Sequence, residues 1–252
     1  MLRLRQICLV APELTKSVAH LESVLGLKTC FHDPGVERFG LKNALLPIGT
    51  NFLEVVAPFQ ADTAAERYIK RRNGSGGYMV IMQCDDVQNR KQRMEELGIR
   101  LVTVINNGPH QAIQMHPKDT GGAIMETGSD GRGNDPDSPW APAGDNWKNF
   151  VSTKLVSALT AAELQCENPK ALGLRWSEVL NLPLQQVEDT PSLALENATL
   201  RFTHIKDGRG EGIRALDVKT NNRSELVRRA EIVGCDIDDD TVHINGLYFN
   251  LL

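Results

Sequence analysis

Hydrophobic and polar positions follow one order several times along this chain: an apolar run, an amphipathic stretch, and then short apolar runs between turn residues. In the first copy, the apolar run at 4–11 predicts a strand. Apolar residues at helical spacing over 14–25 predict a helix, which Gly26 ends. The runs that follow predict strands at 28–32, 39–46 and 51–57.

A second copy begins after a predicted connecting helix at 64–72 and a cluster of glycines. Its apolar run at 78–84 predicts a strand, and the helix after it ends at Gly98. Three more strands are predicted at 101–106, 112–116 and 123–127. The copies also share local words, VLGLK with ELGIR and FLEVV with IMETG, so the sequence indicates an internal repeat.

Two fainter copies follow a stretch rich in Gly, Pro and Asp. We interpret 131–150 as a linker between a domain at 1–130 and a second domain at 151–252. The predicted fold is α+β, with four βαβββ modules that form two domains in tandem. The alternative is one ordinary α+β domain whose helices happen to end in similar ways.

Composition narrows the classes of partner. The net charge of -4 and the absence of a dense basic run argue against nucleic acid. No stretch approaches the roughly 18 apolar residues of a membrane helix. The five cysteines are scattered and indicate no disulfide framework, so we expect a cytoplasmic protein. A homodimer is left open.

Several words of the first half resemble one known superfamily. RLRQICLVAPELTKSVAHLESVLGLK, FLEVVAP and MHPKDTGGAIMETG are similar to stretches of methylmalonyl-CoA epimerases. These belong to the vicinal oxygen chelate superfamily, with glyoxalase I, bleomycin-resistance proteins and extradiol dioxygenases. The second half matches only in the order of its modules. The resemblance implies two glyoxalase-like domains, each curling its strands into a half-open barrel with a ligand in the mouth.

The resemblance also implies four inward-facing site positions, one on each opening strand and one on each closing strand. They fall on Gln6, Glu54, Met79 and Glu126. In the superfamily, a divalent metal at these positions stabilises negative charge while a carboxylate moves a proton. Here Gln6 and Met79 stand where epimerases have histidine, and a thioether is a poor ligand for such metals.

The sequence therefore leaves two alternatives open for the cofactor. The first is an altered divalent-metal site formed by Gln6, Glu54 and Glu126. The second is a pocket without metal in which one glutamate is protonated, because two facing carboxylates repel each other.

Other candidate residues follow from the same comparison. His116 and Lys118 belong to the HPK word beside the family's cleft, and we predict that they bind substrate together with Tyr78 and Met79. His110 is predicted to lie on a loop, as a backup ligand. In the second half the corresponding positions carry no competent metal ligands together: Ala161, Arg201, Ala215 and Asn250.

Two functional hypotheses result. The first is an enzyme, an epimerase (isomerase) or lyase, that abstracts a proton next to the carbonyl of a small acyl compound, with Glu126 as base or ligand and Glu54 opposite. The second is a non-catalytic binding protein of the bleomycin-resistance type, with an adaptable apolar wall of Tyr78, Met79, Met82 and Met125. A dioxygenase would need a His-His-Glu triad, which this sequence does not assemble.

Overall fold

The structure is a computed structural model that describes residues 1–133 and 135–252. The first module contains β1 (Leu2–Val10), α1 (Leu14–Leu25), β2 (Leu41–Ile48) and β3 (Asn51–Pro58). After α2 (Ala64–Arg72), the second module contains β4 (Gly76–Cys84), α3 (Val87–Glu96), β5 (Leu101–Asn107), β6 (His110–Met115), α4 (Pro117–Thr120) and β7 (Ile124–Asp130).

The third and fourth modules make up the second half of the chain. The third contains β8 (Val156–Cys166), α5 (Pro169–Leu180), β9 (Gln185–Val187), β10 (Thr190–Ala194) and β11 (Thr199–His204). The fourth contains β12 (Gly212–Thr220), α6 (Arg223–Val233), β13 (Asp236–Asp238), β14 (Thr241–Ile244) and β15 (Leu247–Leu251). No helix in the described part of the chain is long and apolar enough to cross a bilayer.

The predicted α+β fold of repeated modules is confirmed, with one local correction in the first module. The prediction of a strand at 28–32 is wrong, because only Phe31 forms a bridge, with Leu45 of β2. A 3-10 helix at Pro34–Phe39 follows at once, and the Asp33 side chain caps it by accepting a hydrogen bond from the Gly35 N–H. The chain thus turns away before a ladder can extend.

Strand pairing follows the same order in both halves. In the first half β1 lies parallel to β3 and antiparallel to β4, and β4 lies parallel to β7. In the second half β8 lies parallel to β11 and antiparallel to β12, and β12 lies parallel to β15. The two halves join where Ile213 of β12 pairs with Gly77 of β4.

Two apolar clusters lie on opposite faces of the first half's sheet. The larger packs helices of both halves against the strands and includes Leu4, Met82 and Met125. The smaller lies on the inner face and includes Phe52, Trp140 and Trp147. Both faces of the central strands are therefore buried, which explains why β1 reads as a continuous apolar run broken by few polar residues.

The segment 131–150 packs closely against the first half. Trp140 and Trp147 are buried, and Trp147 meets Phe52 edge-on with ring centroids 5.1 Å apart. The buried Arg5 donates hydrogen bonds to the Pro136 and Ser138 carbonyls at 2.7 and 3.1 Å. The domain boundaries proposed from the sequence stay a prediction, but this segment forms part of the first half's inner core.

The junction between the halves gives a test of the fold. A Cβ at Gly77 would lie 2.5 Å from the Cβ of Ile213, so we expect Gly77→Ala to destabilise the protein by about 1–3 kcal/mol through overpacking. Urea denaturation measures this loss. Gly76→Ala is the matched control, because its Cβ would meet only the flexible end of Arg209, at 3.2 Å. Equal midpoints for the two variants would contradict the close packing at Gly77.

Candidate functional site

A cavity of about 440 Å³ opens on the inner face of the first half. Its wall includes residues from all seven strands of that half, from β2 at one edge of the sheet to β5 at the other. The sheet therefore curves around the cavity. All four residues at the predicted site positions lie in this wall: Gln6, Glu54, Met79 and Glu126.

Gln6 is held in one orientation by Trp140. The Trp140 Nε1–H donates to Gln6 Oε1 at 2.7 Å. Because an indole nitrogen can only donate, the carbonyl end of the Gln6 amide must face Trp140. The Gln6 Nε2–H then donates to Glu54 Oε2 at 2.8 Å.

A second amide completes the surroundings of Glu54. The Asn43 Nδ2–H donates to Glu54 Oε1 at 2.7 Å. Its Oδ1 accepts from the backbone N–H of Asp33 at 2.8 Å, which fixes this amide as well. Burial raises the pKa of Glu54, although hydrogen bonds from Asn43, Cys8 and Gln6 act against the shift. Both oxygens of Glu54 are therefore bound by amide N–H groups.

Glu126 has a different environment. Its Oε2 accepts a hydrogen bond from Gln114 Nε2 at 2.6 Å, across the β6–β7 ladder. Its Oε1 has no hydrogen-bond partner among the described residues and is not sealed inside the protein. Burial, with a further contribution from the charge of Glu54, raises the pKa of Glu126 to about 7. The site thus holds one fixed carboxyl and one carboxyl with a free oxygen.

His110 is a site residue that the sequence analysis misplaced. The prediction of a loop is wrong: His110 is the first residue of β6, is 6% exposed, and lines the cavity. Its Nδ1 lies 3.0 Å from Asp130 Oδ1, directly across the ladder. Burial alone lowers the pKa of His110, but the hydrogen bond and charge of Asp130 outweigh it and raise the pKa overall.

A β-bulge brings Tyr78 and Met79 to the same cavity. Cys8 pairs with Met79 and Leu9 with Gly77, so Tyr78 is an extra residue on β4. Both side chains line the cavity instead of alternating across the sheet. Met82 and Met125, by contrast, lie in the larger cluster on the other face, so the prediction that they form part of the pocket wall is wrong.

The two residues of the HPK word are separated by the structure. His116 lines the cavity, and its Nδ1 accepts from the Lys118 backbone N–H at 3.1 Å. Lys118 is exposed on the short helix α4 and does not line the cavity. Its predicted contact with substrate stays a prediction.

Comparison with known proteins now places the chain. A profile described as "Glyoxalase-like domain" matches residues 7–152. The chain belongs to the glyoxalase-like domain family. The predicted resemblance to the vicinal oxygen chelate superfamily is confirmed.

Relatives and solved structures agree with this placement. The human mitochondrial methylmalonyl-CoA epimerase is 24% identical over 127 residues, which are 49% of this chain and 72% of that protein. A hypothetical protein from Staphylococcus aureus shares the fold with a TM-score of 0.68 and 12% identity, over 100% of this chain and 99% of that one. A mutant 4-hydroxymandelate synthase from Streptomyces coelicolor gives 0.73 and 12%, over 98% and 91%. At such identities the solved structures show the fold alone.

The glyoxalase-like site does not present a set of donors that fits a divalent metal. Gln6 points Oε1 toward Trp140 and its NH2 group toward Glu54, amide N–H groups face both Glu54 oxygens, and the remaining position is the thioether of Met79. Among the described residues, no group of three or more His, Cys, Asp and Glu side chains is arranged to hold a metal. The predicted metal site at Gln6, Glu54 and Glu126 is therefore not supported by the donor set.

The register identifies the corresponding positions in the second half. Glu54 lies opposite the residue two places beyond Gln6, and Arg201 lies opposite Glu163, two places beyond Ala161. Glu126 and Asn250 are related to Met79 and Ala215 in the same way. The alignment made from the sequence is thus the alignment of the strands.

Charged side chains neutralise one another at those second-half positions. Arg201 donates to both Asp217 oxygens at 2.6 and 2.7 Å, and Asn250 donates to the same carboxylate at 2.7 Å. Arg214 pairs with Glu163 at 3.1 Å. The second half therefore presents a cluster of ion pairs where the first half has its two glutamates.

The raised pKa of Glu126 predicts a pH-dependent stability. A carboxyl that binds its proton more tightly in the folded state stabilises the fold at low pH, and this contribution is lost as the pH rises through the folded-state value. The difference in free energy of unfolding between Glu126→Gln and the wild type should rise in favour of the variant between about pH 4.5 and pH 7, by up to about 3 kcal/mol. Above pH 7 the difference should stay constant. Urea denaturation across this range measures it.

The exposed Glu95→Gln variant controls for the loss of one negative charge. A constant difference between Glu126→Gln and wild type over the whole pH range would show that Glu126 does not titrate near neutrality.

Proposed function

We propose that this protein is an enzyme that removes a proton next to the carbonyl group of a small acyl compound, with Glu126 as the general base. The observation that supports this role most directly is the free Oε1 of Glu126 facing a cavity of ligand size. A base works best when its pKa lies close to the working pH, and burial brings the pKa of Glu126 to about 7.

The proposed step moves one proton and one electron pair. Glu126 takes the proton from the carbon beside the carbonyl, and the C–H electron pair forms a carbon–carbon double bond as charge moves onto the carbonyl oxygen. Delivery of a proton from water to the opposite face of the carbon, with Glu126 passing the abstracted proton to solvent, would give an epimerase. Return of the proton to another carbon would give an isomerase, and loss of a neighbouring group would give a lyase.

The neighbouring charges suit this step. Glu54, held by Gln6 and Asn43, raises the pKa of Glu126 and so strengthens it as a base. The raised pKa of His110 favours its protonated form, whose positive charge would stabilise the negative charge that develops on the substrate. Asp130 binds Nδ1 of the His110 ring, and Nε2 has no protein partner among the described residues.

The lining of the cavity suggests the class of substrate. Most of the wall is apolar and belongs to Val36, Leu41, Val56, Ile81, Ile105 and Ile124. Arg38 lies at the exposed rim and supplies a positive charge there. An acyl chain inside the cavity with a larger anionic carrier outside would satisfy both features. Because a relative is named methylmalonyl-CoA epimerase, short branched acyl thioesters of coenzyme A are the first substrates to test.

Exchange of the substrate's proton for deuterium tests the proposal. In D2O, the wild type should remove the α-proton signal of methylmalonyl-CoA or a related short-chain thioester in an NMR time course. Glu126→Gln should lower the exchange rate by about 10²–10⁴-fold, the usual contribution of a general base. Glu95→Gln, an exposed glutamate outside the cavity, should leave the rate unchanged.

Two results would contradict the proposal: no exchange above the rate in buffer with any of the short branched acyl-CoA thioesters, or undiminished exchange by Glu126→Gln. The second hypothesis, a binding protein of the bleomycin-resistance type, would then be favoured. The open cavity with Tyr78 and Met79 in its wall supports that alternative. A ligand that raises the melting temperature of the protein without undergoing exchange would support this binding function.

A further inference from the structure

Trp140 lies outside the repeated modules and contacts Gln6, a residue of the cavity wall. It lies in the segment 131–150, is 1% exposed, and donates its only polar hydrogen to Gln6 Oε1 at 2.7 Å. Gln6 occupies the first of the four family site positions. Its one metal-binding atom therefore points toward a buried donor that has no other acceptor among the described residues, while its NH2 group points toward Glu54.

Because Trp140 fixes the Gln6 amide, it also fixes which end of that amide faces Glu54. The Gln6 amide points its NH2 group at Glu54 Oε2, and Asn43 does the same at Oε1. A cation placed between Gln6 and Glu54 would face N–H groups, which are positive at the hydrogen. Binding it would require the Gln6 amide to turn over, and the Trp140 N–H would then face the amide's own NH2 group.

The fourth position adds nothing that compensates. Met79 offers a thioether, and Glu126 Oε1 is the one oxygen of the four predicted positions that has no partner among the described residues. Hard or borderline divalent ions need several oxygen or nitrogen ligands from the protein. One free carboxylate oxygen does not meet that need, even with the imidazole of His110 in the same cavity wall, because no group of three or more His, Cys, Asp and Glu side chains among the described residues is arranged to hold a metal.

We propose that the Trp140–Gln6–Glu54–Asn43 network takes the place of a divalent metal, that the site works without one, and that Trp140 is the positioning residue that keeps it so. The network holds Glu54 as a fixed hydrogen-bond acceptor and leaves Glu126 as the carboxyl that exchanges protons with the cavity. The part that concerns metal binding stands by itself. The part that concerns a metal-independent reaction rests on the proposed function.

Metal titration of matched variants tests the first part. Mn²⁺ is added to chelator-treated, dialysed protein, and free Mn²⁺ is followed by its EPR signal. The variants compared are wild type, Met79→His/Trp140→Phe and Met79→His/Trp147→Phe. Trp147 is the matched control because it is buried in the same segment and packs on Phe52, yet makes no hydrogen bond to the site among the described residues.

We expect no stoichiometric Mn²⁺ binding by the wild type at metal concentrations up to about 1 mM, which is well above the roughly 10⁻⁷–10⁻⁵ M dissociation constants of sensor-type Ca²⁺ sites. Met79→His supplies an imidazole in both double variants, but only Trp140→Phe frees the Gln6 oxygen. The Trp140→Phe double variant should therefore bind Mn²⁺ at least about tenfold more tightly than the Trp147→Phe double variant. Partners that orient a ligand change metal affinity by about 10–100-fold, and Trp140 orients the Gln6 oxygen away from Glu54.

Two titration results would overturn the inference: stoichiometric Mn²⁺ binding by the wild type that Glu126→Gln abolishes, or equal affinity in the two double variants. Circular dichroism checks that each variant is folded. If a double variant fails to fold, the wild-type titration decides the question alone.

Deuterium exchange with and without EDTA tests the second part. Exchange by the wild type should be unchanged by EDTA, whereas loss of exchange that Mn²⁺ restores would overturn metal independence. Absence of exchange under every condition would refute the proposed function, and the metal titration would still decide whether the network excludes a metal.

Discussion

The antiparallel pairing of β1 with β4 determines the geometry of the whole first half. The two opening strands lie side by side, and each carries its closing strand on the outer edge, β3 beside β1 and β7 beside β4. This order brings one residue from each of four strands to the same face. Two bulges in the pairing, at Arg5 and Tyr78, turn extra side chains toward that face and into its core.

Burying two carboxyls on this face disfavours their charged forms, and the surrounding residues stabilise the two charges to different extents. Glu54 accepts hydrogen bonds from two amides whose orientations are fixed by donor-only groups. Glu126 accepts one, from Gln114, and retains a free oxygen. Because like charges in a buried site favour a proton on one of them, the less satisfied carboxyl is the one that titrates near neutrality. The difference between the two glutamates is therefore set by neighbours and not by their own chemistry.

The second half shows what the same strand register gives with other side chains. Arg201 stands at the position of Glu54 and Asn250 at the position of Glu126, and both bind Asp217. Opposite charges at hydrogen-bond distance neutralise one another, so this face carries paired charges. The shared register preserves the architecture of the strands, while the identity of a few inward-facing residues decides whether a face carries unpaired carboxyls or a cluster of ion pairs.

The sequence by itself determined the repeat and the order of elements, because local periodicity and turn residues dictate these features. The resemblance to the vicinal oxygen chelate superfamily then indicated the positions Gln6, Glu54, Met79 and Glu126, which line one cavity. It also predicted the second-half positions Ala161, Arg201, Ala215 and Asn250 that the strand register aligns. Only the tertiary structure decided which groups these side chains bind. The Trp140 bond to Gln6 joins residues 134 positions apart, and the pairing of His110 with Asp130 depends on a strand end that no local signal marked. Hydrogen bonds between distant segments are set by how the sheet curves, and that curvature is a property of the whole fold.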